Sequence, residues 1–66
     1  MMNTFRFNII DDNNKKFFES ENKDKAVDYF EKYLKGKINI EFEGFLKLID
    51  KSSDKIIRIA GKSLNY

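Results

Sequence analysis

Asn22-Lys23-Asp24-Lys25-Ala26-Val27-Asp28-Tyr29-Phe30-Glu31-Lys32-Tyr33-Leu34-Lys35-Gly36 has a helical apolar period, while the stretches on either side alternate with a period of two. Ala26, Val27, Phe30, Tyr33 and Leu34 recur at the spacing of one face of an amphipathic helix. Asp24, Asp28, Glu31, Lys32 and Lys35 cover the remaining surface. Asp28–Lys32 and Glu31–Lys35 are spaced four apart in the favourable order, each worth ~0.2–0.5 kcal/mol. Ser20 or Asn22 can accept a hydrogen bond from an unpaired N–H of the first turn and cap the helix. Gly36 ends it, since glycine takes the left-handed conformation that closes many helices.

Before this helix, Phe5, Phe7 and Ile9 alternate with Thr4, Arg6 and Asn8, the pattern of a half-buried strand over residues 3–10. Asp11-Asp12-Asn13-Asn14 reads as a solvated hairpin turn, because Asp and Asn bond their own backbone and tolerate turn geometry. Residues 15–19 make a short second strand. Strict alternation lets only one of Phe17 and Phe18 face the main core.

After the helix, Ile38, Ile40 and Phe42 alternate with Asn39, Glu41 and Glu43. Two geometries fit the glycine that follows: one long strand over 38–49, bent or bulged at Gly44, or a tight hairpin turn at Glu43-Gly44. The long strand keeps Ile38, Ile40, Phe42, Leu46 and Leu48 in phase, and a buried face strongly specifies register. It is therefore preferred. Residues 51–54 form a turn and residues 55–60 the last strand, with residues 61–66 as a tail. The expectation is one α+β domain over residues 1–66: a small antiparallel sheet in β-β-α-β-β order with one helix packed on one face.

One side of each strand plus the helix stripe assigns Phe5, Phe7, Ile9, Val27, Phe30, Leu34, Ile38, Ile40, Phe42, Leu46, Leu48, Ile57 and Ile59 to the core. Ile10, Phe45, Ile49 and Ile56 remain, together with one of Phe17 and Phe18. By alternation they fall on the opposite sheet face. A contiguous exposed apolar patch usually marks an interface, so Phe45, Ile49, Ile56 and Ile10 are the candidate protein-interface residues. A tail carrying Leu64 and Tyr66 is the competing cover for that patch.

Chemistry is sparse by comparison. The chain has 66 residues with neither Cys nor His, so thiolates, disulfides and the commonest neutral-pH base and metal ligand are all missing. Gly61-Lys62-Ser63 resembles the end of a phosphate loop, but Ile56 stands where the first glycine belongs. Asp11 to Asn14 lack the ligand spacing of a calcium loop. Glu41 and Glu43 share a strand face, where cross-strand partners explain them better than acid–base work. No catalytic, cofactor-binding or metal-binding residue is assigned; the chain is expected to be non-enzymatic, without cofactor or small-molecule substrate.

Thirteen Lys and Arg against eleven Asp and Glu give a net charge of +2. The charge is spread along the chain rather than gathered in a tail, and apolar runs never exceed two residues. Neither a membrane span nor a signal segment is expected, and the cytoplasm is the expected compartment. The expected function is a small protein-interaction module whose partner is another protein or a second copy of the chain, as a homodimer. A small nucleic-acid-binding domain is the alternative, less favoured because the lysines are interleaved with acids. Small, cysteine-free chains rich in Lys, Asn and Ile are common among accessory proteins of phages and mobile elements, some of which inhibit host defence nucleases, as anti-CRISPR proteins do. Size and composition alone suggest that role.

Overall fold

The computed structural model describes residues 5–61. Along the chain run β1 (Phe7–Ile10), β2 (Lys16–Ser20), α1 (Lys23–Leu34), β3 (Phe45–Asp50) and β4 (Lys55–Gly61). The four strands form one antiparallel sheet in the order β2-β1-β3-β4. The helix packs on β2 and β1 and, less closely, on β3. The architecture is thus the expected α+β arrangement. Residues 3 and 4 of the expected first strand and residues 62–66 of the expected tail lie outside the described residues, while Gly61 belongs to β4.

Both candidate caps contribute to the helix start. Asn22 Oδ1 accepts from the N–H of Asp24 (2.8 Å) and Lys25 (3.3 Å), and Ser20 Oγ accepts from the N–H of Asn22. At the other end, Gly36 has φ of +76° and the N–H groups of Gly36 and Lys37 donate to the carbonyls of Tyr33 and Lys32. That is the paired closure of a Schellman motif. The Asp28–Lys32 pair forms at 3.3 Å; Glu31 and Lys35 form no ion pair among the described residues.

Phe7, Ile9, Ala26, Phe30, Phe42, Leu46 and Leu48 are the buried apolar core. Leu34 is not part of it, being 52% exposed. Tyr33, on the same stripe, packs against the core, its ring meeting Phe42 edge-on with centroids 5.5 Å apart.

Residues 38–44 form neither a long strand nor a hairpin. Phe42 is buried and Ile38 and Ile40 are half-buried, while Asn39, Glu41 and Glu43 are exposed. The alternation is therefore real, but the backbone has a different partner. The turn after β1 takes its hydrogen bonds: Asp11 Oδ2 accepts from the Glu43 N–H (3.1 Å), the Asp12 N–H donates to the Glu43 carbonyl (3.1 Å), and Asp12 Oδ2 accepts from the Phe45 N–H (3.2 Å). Gly44, with φ of +69°, then turns the chain into β3.

Two bulges decide which side chains face which way. Ile9 pairs with Phe18 and Ile10 with Lys16, so Phe17 is an extra residue in β2. Leu48 pairs with Arg58 and Ile49 with Ile56, so Ile57 is extra in β4. An inserted residue breaks the period of two. Phe17 and Phe18 consequently both pack against the core, contrary to strict alternation, as do Ile57 and Ala60. Ile59, expected in the core beside Ile57, lies on the other face at 55% exposure.

Candidate protein-interaction surface

Directly paired residues on neighbouring strands point to the same side of a sheet. With Phe7, Ile9, Leu46 and Leu48 turned toward the helix, the opposite face follows from the register. One row across it reads Glu19, Asn8, Ile49, Ile56, and the next reads Lys16, Ile10, Lys47, Ile59. Phe45, paired with Gly61, extends the face at one end. Phe45, Ile49, Ile56 and Ile10 therefore all occupy the face assigned to them from sequence. Phe45 is 48% and Ile56 55% exposed; Ile10 and Ile49 are half-buried. Ile59 joins them through the bulge at Ile57, for which the sequence offers no signal.

The charges on this face are mostly matched. Lys47 reaches Asp12 at 3.1 Å and Lys16 reaches Glu19 at 2.7 Å. Lys51 has no ion-pair partner among the described residues. Between the polar and apolar halves lies a recess of about 350 Å³ lined by Asn8, Ile10, Asn14, Lys16, Ile49 and Lys51. Asn8 is only 5% exposed, and its side-chain N–H donates to the Phe5 carbonyl at 2.8 Å.

Two carboxylates elsewhere are bound up in structure. Asp11 is almost fully buried rather than solvated. Its Oδ1 accepts from the N–H groups of Asn13 (2.8 Å) and Lys15 (2.9 Å), while its Oδ2 holds Glu43. Burial pushes its carboxyl up, but the N–H donors of Glu43, Lys15 and Asn13 outweigh this and hold it below the usual range. An Asp opening a turn is a recognisable Asx signal; its reach to Glu43, 32 positions along the chain, is not. Asp50 takes a two-pronged bond from Arg6, Nε to Oδ1 at 3.0 Å and one terminal nitrogen to Oδ2 at 3.1 Å. The Arg6 guanidinium, aided by the Ser52 hydroxyl and N–H, holds Asp50 well below the usual carboxylate range against the effect of burial. The same bond raises Arg6.

Glu41 and Glu43 are exposed and line a polar cleft of about 300 Å³ with Asp11, Asn13, Lys15 and Phe42. They do not lie on a strand. A third cleft, beside α1, is floored by Phe18 and Tyr29, whose rings stack on each other at 4.5 Å. No group of three or more acidic residues is placed to hold a metal among the described residues, and no described helix is long and apolar enough to cross a membrane. Comparison with known proteins finds no match: no family model fits the chain, and no curated protein or solved structure is similar to it.

Proposed function

We propose that the chain is a non-enzymatic binding module that docks another protein on the sheet face turned away from the helix. One observation carries this: Phe45, Ile56 and Ile59, each about half exposed, stand beside Ile49 and Ile10 on a face the helix does not cover. Contiguous apolar surface of this kind marks contact sites in soluble domains. A chain this small also gains much from burying a second face. In its finer form the module acts in the cytoplasm as an inhibitor of a host defence nuclease, for which size and composition are the support.

The experiment places a photo-crosslinking residue at position 45 or 59, and at position 24 on α1 as the control, and then measures the purified partner directly. Binding should need the apolar face, so Phe45→Lys and Ile56→Lys should each weaken it about 100-fold or more, because each buries an unpaired charge. Both variants should keep their circular dichroism spectrum. Undiminished binding by both refutes the surface. Sedimentation of the wild type runs in parallel, and a dimer abolished by the same substitutions assigns the face to a second copy. A nucleic-acid module is the second reading. It predicts oligonucleotide binding with a steep salt slope, and the pairing of Lys16 and Lys47 with acids weighs against it.

A further inference from the structure

The recess beside Asn8 has features that the apolar patch alone does not explain. Asn8 is nine-tenths buried yet lines an open cavity. Its side-chain nitrogen is engaged by the Phe5 carbonyl, while its Oδ1 accepts no hydrogen bond from the described residues. On this lining it is an acceptor that no described residue engages. Lys51, which also lines the recess, pairs with no acid among the described residues. Ile10 and Ile49 supply an apolar wall beside these groups.

We propose, resting on the docking face argued above, that this recess seats an Asp or Glu side chain of the partner protein, with an apolar partner residue packed beside it on Ile10 and Ile49. The ammonium of Lys51 meets the carboxylate, while Lys16, on the opposite side of the recess, stays paired with Glu19. Asn8 Oδ1 can accept a hydrogen bond, and the backbone N–H next to an acidic side chain supplies the donor. A polypeptide offers the anion and the donor together; a bare phosphate at neutral pH offers mainly acceptors. A second copy is the weaker occupant by charge, since it brings the same net-positive face.

The test uses the full chain, isotope-labelled, titrated with acetyl-Leu-Glu-Leu-amide, its Gln counterpart, inorganic phosphate and a thymidine oligonucleotide. The Glu peptide should shift the Asn8 side-chain amide and the Ile10 and Ile49 methyl signals, with Kd on the order of 10 mM. The Gln peptide should bind about five-fold more weakly, and so should the Glu peptide to Lys51→Gln. Lys55→Gln, on β4 and outside the recess, should leave the titration unchanged. Equal response to the two peptides, a silent Asn8 amide, or phosphate or the oligonucleotide matching the Glu peptide would each overturn the proposal. If Phe45 and Ile59 respond to both peptides alike while Asn8 stays silent, the docking face stands and the carboxylate seat falls. If the peptide titrates Asn8 but Phe45→Lys and Ile56→Lys leave partner binding intact, the seat stands and the wider face falls.

Discussion

Replacing Gly44 with Ala should destabilise the domain clearly more than replacing Gly36 with Ala, although both glycines have left-handed φ, +69° and +76°. For an L-residue that conformation costs about 1–2 kcal/mol, a penalty the two sites share. Space separates them. A Cβ at Gly36 meets no atom within 4 Å, whereas one at Gly44 falls 2.6 Å from Asp12 Cγ and closer still to its carboxylate oxygen. Asp12 must then move. That movement breaks its bond to the Phe45 N–H, worth about 1 kcal/mol, and its pairing with Lys47, worth up to about 1 kcal/mol.

The expected losses are thus about 1–2 kcal/mol for Gly36→Ala and about 2–4 kcal/mol for Gly44→Ala, summing those contributions. A chain of this length holds only about 3–10 kcal/mol in all. Urea unfolding followed by circular dichroism would measure both variants. A double-mutant cycle localises the effect: in an Asp12→Ala background, which removes the carboxylate but keeps a Cβ 3.1 Å away, the Gly44→Ala loss should shrink toward that of Gly36→Ala. Equal losses at the two glycines, or no coupling to Asp12, would refute the idea that the β1–β2 turn holds the entry to β3.

Phe30→Ala should cost about 3–5 kcal/mol in the same assay, since Phe30 is fully buried, and Leu34→Ala, at an exposed position, less than about 1 kcal/mol; comparable losses would mean the helix is rotated about its axis. Asp50 is held below its usual range in the fold, so its ion pair with Arg6 stabilises above the unfolded carboxylate value and is lost as pH falls through the folded one. Asp50→Asn should therefore be less stable than wild type at neutral pH, with the difference shrinking progressively as pH falls below about 4; parallel pH profiles would contradict that.

The elements with a strong local signal were legible. The stripe from Ala26 to Phe30, the Asn22 cap and Gly36 specify the helix through interactions within a few residues of one another. The alternation of Phe7 with Ile9, and of Leu46 with Leu48, likewise marks faces that need no distant information. What the sequence concealed depends on partners far along the chain. Residues 38–42 have the period of a strand because one side of them is buried, but a ladder also needs a neighbouring backbone, and Asp11 and Asp12 engage this segment instead. The four candidate interface residues fall on the outer face, as alternation implies, because Phe45, Ile49 and Ile10 lie on regular ladder and Ile56 precedes the bulge. Ile59 lies beyond it, where counting by twos fails.

That failure supplies a discriminating experiment on the outer face, the deletion of Ile57. If β4 were a regular strand, removing one residue between Ile56 and Arg58 would turn one side of the strand over and carry Ile56 inward or Ile59 outward. In the bulged strand, Ile49–Ile56 and Leu48–Arg58 are already consecutive pairs of the ladder. Deletion would join them directly and leave Ile56 and Ile59 on the outer face. The cost is then the packing of one half-buried isoleucine, about 1–2 kcal/mol, together with relief of the bulge. The variant should remain folded and bind the partner as the wild type does. In contrast, Ile59→Lys should be well tolerated by the fold and lose binding. A deletion variant that folds but no longer binds, or an Ile59→Lys variant that unfolds, would show that β4 runs with the regular alternation and that Ile59 belongs to the core.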